Sequence, residues 1–201
     1  MMDSIEEFNR QLFLSLNASP ETSVLMLGAA KFIANDLIFL IPLLLAGLWL
    51  WGDLPRRGAV LKAVLAMAVS LGGSFLIGLL WHHPRPLALE LGRTYFDHAL
   101  DASFPSDHAT AFAAIGFASL KKETRQLGWA MLIVGAGVGW ARIFLGVHFP
   151  ADVLGAFAVA AAVCYGVSPA WNRAEKAVTG YCERLYRIIF APLIAAGWIR
   201  N

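Results

Sequence analysis

Charge is scarce in this sequence. Only 15% of its 201 residues are Asp, Glu, Lys or Arg, against about 25% in an average soluble domain. With 58% hydrophobic residues and a mean hydropathy of +0.62, the apolar surface exceeds what one small globule can bury, which excludes an ordinary soluble domain. A net charge of +2 beside that hydrophobicity excludes an intrinsically disordered chain. It also excludes a nucleic-acid partner, since such a domain carries a clustered basic stripe. Cysteine is nearly missing: Cys164 and Cys182 supply neither a disulfide framework nor a metal-ligand spacing. No repeat or low-complexity stretch breaks the chain. Residues 1–20 lack the apolar core of a signal peptide and hold Asp3, Glu6, Glu7 and Arg10 instead.

What the chain does have is long apolar runs. A spanning helix needs about 20 mostly apolar residues. Five stretches qualify: Val24 to Trp51, interrupted by Lys31 and Asp36; Ala63 to Trp81; Phe104 to Leu120; Gln126 to Leu145, with Arg142 near its end; and Val153 to Asn172. None alternates as a membrane barrel strand would. Ile5, Phe8, Leu12 and Leu16 recur at helical spacing and predict a short interfacial helix within segment 1–20. Segment 172–201 mixes Arg173, Lys176, Arg184 and Arg187 with Tyr181, Leu185, Tyr186 and Ile188, and reads as an amphipathic helix lying on the membrane. Gly135 and Gly139 predict close helix packing rather than chemistry. The expected fold is an all-α integral membrane protein: one domain over residues 1–201, a bundle of about five transmembrane helices with amphipathic terminal segments.

Basic residues set the expected orientation. Arg56, Arg57 and Lys62 follow the first span, Lys121, Lys122 and Arg125 follow the third, and Arg173, Lys176, Arg184, Arg187 and Arg200 lie in the tail. The positive-inside rule makes their common side cytoplasmic. The N-terminus, the 82–103 loop and the 146–152 loop then lie outside, which in a bacterium is the periplasm or the cell exterior.

Ionisable groups within or beside spans are costly and therefore informative. Here they converge on the outer face. Arg85 ends the second span, Ser106, Asp107 and His108 open the third, and Arg142, His148 and Asp152 bridge the fourth and fifth. Two arginines are fixed cationic forks suited to phosphate oxygens. A histidine is a nucleophile or proton donor near neutral pH. If Pro150 begins the fifth helix, Asp152 reaches back to His148, binding one ring nitrogen and leaving the other to attack. Ser106 is placed to cap its helix, whose first amides form a phosphate cradle. The set reads as a phosphoryl-transfer site without metal or cofactor, since carboxylates are too few for a metal cluster. His82 and His83 read as interfacial residues beside it. Glu90, Arg93, Asp97, His98 and Asp101 read as a solvated outer loop.

Arg85-Pro86, Pro105-Ser106-Asp107-His108 and Arg142-x5-His148-x3-Asp152 resemble the three signatures of the type-2 phosphatidic acid phosphatase superfamily: Lys-x6-Arg-Pro, Pro-Ser-Gly-His and Ser-Arg-x5-His-x3-Asp. The resemblance implies that His148 forms a phosphohistidine and His108 protonates the leaving oxygen. It further implies that Asp152 orients His148 and that Arg85 and Arg142 hold the phosphate. Three positions depart from the signatures: the lysine falls on Gly78, the motif glycine is Asp107, and the motif serine is Ala141. These departures remove one phosphate-binding cation and one hydroxyl, and add a negative charge. Together with the short chain and Lys31-x4-Asp36, they resemble the bacitracin-resistance type of undecaprenyl-diphosphate phosphatase. That implies removal of the terminal phosphate from a polyprenyl diphosphate at the outer face of a bacterial cytoplasmic membrane, recycling the carrier of cell-wall glycans. Lys31 is either half of a neutralising pair with Asp36 or a replacement for the cation missing at Gly78. The alternatives are a phosphatidylglycerophosphate or phosphatidic acid phosphatase, a lipid phosphotransferase, and a non-catalytic binder or transporter of lipid diphosphates.

Overall fold

The structure, a computed structural model, describes residues 2–95 and 101–201. Asp97 and His98 lie outside the described residues, as do the side chains of Asp3 and Lys122. All regular elements among the described residues are helical: α1 (Met2–Leu16), α2 (Val24–Lys31), α3 (Leu40–Trp51), α4 (Leu54–Leu80), α5 (Asp107–Ala118), α6 (Arg125–Phe144), α7 (Pro150–Ile189) and α8 (Ala191–Ala195). A π-turn at Phe32–Asp36 and a 3-10 turn at Leu37–Phe39 join α2 to α3, so Val24–Trp51 forms one apolar run. Four segments are long and apolar enough to cross a membrane: Val24–Trp51, Leu54–Leu80, Arg125–Phe144 and Pro150–Ile189.

The fifth expected span differs. The third apolar stretch yields only the 12 residues of α5, about 18 Å of helix against a hydrocarbon core of about 30 Å. Pro105 and the extended Ser106 (φ −69°, ψ 114°) delay the helix start. Protein rather than lipid surrounds α5: Ala109, Ala113, Ala114, Ile115 and Ala118 are fully buried, in contact with α4, α6 and α7. Small residues permit that approach. A Cβ on Gly135 would sit 2.8 Å from Phe112 Cβ, and one on Gly139 would collide with Val153, as the expected packing role requires.

The tail also differs. It is no separate surface helix: α7 runs unbroken through Pro169 for 40 residues, about 60 Å. The chain then turns back through α8 onto the start of α4. There Arg57, only 1% exposed, donates to Trp49 O at 3.0 Å, Glu183 Oε1 at 3.2 Å and Arg200 O at 2.8 Å. Lys121 pairs with Glu175 at 2.8 Å nearby. The loop and tail basic residues thus share one end of the bundle. The 27 residues of α4, about 40 Å, separate that end from Arg85.

At the other end, α1 is amphipathic as expected, but it is tied into the bundle. Asn9 Oδ1 accepts the Ala151 amide at 3.0 Å. Phe13 is fully buried with its ring 5.2 Å from that of Phe149. Asn17 accepts from Arg93 N and donates to Arg93 O and Phe144 O.

Candidate active site

Three segments meet under α1. The first is the irregular chain from His82 to Arg85, where Pro84 and Pro86 disfavour helix at the residues before them, and Arg85 turns inward to 5% exposure. The second enters from Asp101 and is pinned by the Ser103 amide on His83 O at 2.7 Å before α5 starts. The third is the turn between α6 and α7. Gly146, at φ 81°, takes the left-handed conformation that glycine adopts at no steric cost. Its amide bonds Ile143 O at 3.0 Å, and that of Val147 bonds Arg142 O at 2.9 Å. The next residue, His148, is carried inward to 2% exposure.

The centre is His148 with Asp152. His148 Nδ1 lies 3.4 Å from Asp152 Oδ2. The same oxygen accepts the Phe149 amide at 2.7 Å, which closes the first turn of α7, and the Ser103 hydroxyl. Ser103 Oγ also lies 3.4 Å from His148 Nδ1. Arg85 Nη1 lies 3.2 Å from the other ring nitrogen, Nε2, and 3.5 Å from Nδ1. Arg85 is fixed further by Val147 O at 3.2 Å, Ala102 O at 3.3 Å and Asp101 Oδ1 at 2.8 Å. Burial pushes the His148 pKa down to about 4; Arg142 and Arg85 push the same way, and Asp152 opposes them. Burial thus favours the neutral imidazole, the form a nucleophile requires.

Arg142 is 1% exposed and donates to Ala34 O in the π-turn at 3.1 Å. Ala141 is buried in a cluster with Ala30, Ala34 and Leu145. These small side chains let the π-turn approach Arg142, so a backbone carbonyl steadies it beside a position without a hydroxyl. Ser106 sits at the N-cap position of α5, but its side chain makes no capping bond. Its Oγ is buried without a hydrogen-bond partner, while its amide donates to Asp152 O at 3.2 Å. The capping expectation thus gives way to a hydroxyl left available inside the site. His108 is half-buried in the first turn of α5.

Asp107 is exposed and lines a cavity of about 240 Å³ with Ser74, Gly78, His82 and Asp101. Gly78, at the position of the signature lysine, is among the lining residues, and a Cβ there would come within 3.2 Å of Ala102 Cβ. Lys31 is exposed at the end of α2, one turn before Ala34, and forms no ion pair with Asp36. Of the sequence-derived set, the structure brings together His148, Asp152, Arg85 and the backbone of Ser106. It leaves Lys31 on the surface.

Two residues escaped the sequence reading. Ser103 has no spacing signal, because its partner Asp152 is distant in the chain. His83 had one: in an extended strand, residues two apart face the same way, so Arg85 and His83 share a side. No group of three or more His, Cys, Asp or Glu positioned to hold a metal occurs among the described residues.

The profile of the PAP2 superfamily matches residues 59–176. YbjG of Escherichia coli (strain K12), by name a candidate undecaprenyl-diphosphatase, is 36% identical over 98% of this chain and 100% of its own length. Undecaprenyl-diphosphatase BcrC of Bacillus subtilis (strain 168) is 36% identical over 76% of this chain and 78% of its own. LpxE of Aquifex aeolicus has the same fold, with a TM-score of 0.65 at 22% identity over 79% of this chain and 93% of its own. So has a transmembrane PAP2-type phosphatidylglycerolphosphate phosphatase of Bacillus subtilis, with a TM-score of 0.64 at 18% identity over 85% of this chain and 87% of its own. By profile, by its relatives and by fold, the chain belongs to the PAP2 superfamily.

Proposed function

We propose that the protein is an undecaprenyl-diphosphate phosphatase that works through a phosphohistidine on His148. The observation that carries this reading is the His148 ring held between Asp152 Oδ2 on Nδ1 and Arg85 Nη1 on Nε2. One nitrogen is oriented by a carboxylate, and the other faces the cation that binds the phosphate. In the first step the Nε2 lone pair attacks the terminal phosphorus in line. The bond to the bridging oxygen breaks, and His108 gives that oxygen a proton. In the second step His108 takes a proton from water, the water oxygen attacks phosphorus, and the P–N bond breaks to release inorganic phosphate. Arg85, Arg142, the Ser106 hydroxyl and the amides at the start of α5 stabilise charge on the equatorial oxygens. The scheme routes no step through a metal.

The substrate class rests on the relatives named as undecaprenyl-diphosphatases, one of them matched over its whole length. Bacitracin resistance would follow from restoring carrier phosphate. In this reading residues 1–201 form one domain in a bacterial cytoplasmic membrane. The catalytic end faces the periplasm or cell exterior, and the basic end with the C-terminus faces the cytoplasm. The lipid tail leaves sideways between helices.

The test is phosphate release by the purified protein in detergent from undecaprenyl or farnesyl diphosphate beside phosphatidic acid, for wild type and His148→Ala. Release from the prenyl diphosphate that is lost in the variant supports the proposal. Preference for phosphatidic acid overturns the substrate, and undiminished release by His148→Ala overturns the nucleophile.

A further inference from the structure

Asp152 has two carboxylate oxygens, and the mechanism above uses one. Oδ2 serves Ser103, the Phe149 amide and His148. Oδ1 is buried and makes no hydrogen bond among the described residues. Nδ1 of His83 faces it at 3.9 Å, equally buried and equally without a hydrogen bond. On the far side of that ring, Nε2 lies 3.6 Å from Oε2 of Glu6 in α1. The ring is wedged between Trp81, 5.5 Å away, and Phe149, 5.6 Å away. Two buried polar atoms, each without a bond, are costly apart and complementary together.

We propose that His83 is a positioning residue: set between Glu6 and Asp152, it steadies the outer oxygen of Asp152 through Nδ1 and makes α1 part of the catalytic apparatus. The proposal rests on the reading of His148 as nucleophile. Attack on phosphorus turns the His148 ring cationic, and its Nδ1 proton must stay in place, donated to Oδ2. A carboxylate that also accepts an N–H on its other oxygen has both oxygens engaged, with Oδ2 kept for that proton. It is also fixed in rotation, which fixes the ring that attacks. The groups facing His83 are Glu6 from α1, itself 3.2 Å from Arg10, and Asp152 from α7, with the two aromatic rings. A second observation favours a role for α1. Its Asn9 takes the Ala151 amide, so the helix is tied to the turn that carries Asp152.

The test compares His83→Phe with His83→Asn in the full-length protein, with wild type and His148→Ala as controls. Asn places a side-chain N–H near the position of Nδ1, whereas Phe keeps the ring volume alone. Turnover of a prenyl diphosphate should fall about 10- to 100-fold in His83→Phe, the scale of a misplaced reacting group, with KM within about twofold of wild type. His83→Asn should recover most of the loss. In an Asp152→Asn background the His83→Phe substitution should cost little more, because the two residues act through one path. Wild-type kcat in His83→Phe, equal losses in both variants, or full additivity with Asp152→Asn would overturn the proposal. A wild type that spares prenyl diphosphate but cleaves phosphatidic acid overturns the substrate reading alone, and the same ratios are then read on phosphatidic acid. No turnover of either lipid overturns the catalytic reading and this proposal with it.

Discussion

His148 and Asp152 are joined across the first turn of α7, Nδ1 to Oδ2 at 3.4 Å, and the carboxylate is fixed by the amide of the residue between His148 and the helix. The bond that caps α7 therefore also sets the angle of the nucleophile. Asp152→Asn keeps the shape but replaces a charged acceptor with an amide that can present N–H to the ring. The wrong tautomer then puts a proton on Nε2. In a serine hydrolase triad the same change costs about 10⁴ in kcat; here we expect a loss of about 10²- to 10⁴-fold with KM nearly unchanged. Steady-state kinetics on a prenyl diphosphate checks this. A loss confined to KM would mean that Asp152 only shapes the binding site.

The pH dependence follows from the burial of His148. In the proposed mechanism its neutral form attacks, and the neutral fraction rises as pH rises through the pKa. Burial lowers that pKa from the ordinary histidine value to about 4. The acidic limb of kcat/KM, which reports the free enzyme, should therefore fall below pH 5, not near about 6.5 where an ordinary histidine titrates. The profile must first be divided by the ionisation curve of the substrate. A limb that persists near the ordinary value after this division contradicts a buried, neutral His148.

The candidate set could be named from the sequence because its residues carry chemistry at short spacing. Arg142, His148 and Asp152 occur within one turn between two helices, and that turn can be read without knowing the fold. Partnerships distant in sequence were not legible in the same way. The stretch from Phe104 to Leu120 is apolar enough for a span, but an alanine- and glycine-rich helix is equally suited to burial against other helices, and its hydropathy is the same in both settings. The tail mixes arginine and tyrosine as a surface helix does. Yet Trp171, Thr179 and Tyr186 of α7 are all buried, and Tyr186 packs on Arg57, more than a hundred residues away. Glu6 and His83 are likewise joined only by the docking of α1.

The glycine at position 78 bears on Lys31. The cavity there is lined by Asp101 and Asp107 and by no lysine or arginine, so this side of the site lacks the cation of the family signature. Lys31 is exposed and without an ion pair, one turn before the carbonyl that holds Arg142, and its long side chain can swing toward a bound diphosphate. Lys31→Met should raise KM for the prenyl diphosphate about 3- to 10-fold, the worth of a charge-assisted contact of about 1 kcal/mol, with kcat nearly constant. Unchanged kinetics would remove Lys31 from the binding site.

Arg57 tests whether the basic end supports the fold independently of the chemistry. It is buried against the Tyr186 ring at 4.3 Å and binds Glu183 and the carbonyls of Trp49 and Arg200, which closes the tail onto α4. Arg57→Ala takes a donor from Trp49 O, leaves Arg200 O with the Tyr186 hydroxyl at 2.8 Å, and leaves Glu183 with Arg187 at 2.9 Å. Breaking such a buried pair costs about 3 kcal/mol, which for a chain of this size lowers Tm by about 6–12 °C. Arg57→Lys restores the charge but not the planar fork, so its Tm should fall between the two. Activity per folded molecule should stay near wild type in both variants, since the length of α4 separates Arg57 from Arg85. Thermal unfolding in detergent, followed by tryptophan fluorescence beside a phosphate-release assay, measures both quantities. An unchanged Tm would show that the tail is held by its apolar contacts alone, and a fall in specific activity without a fall in Tm would show that the two ends communicate.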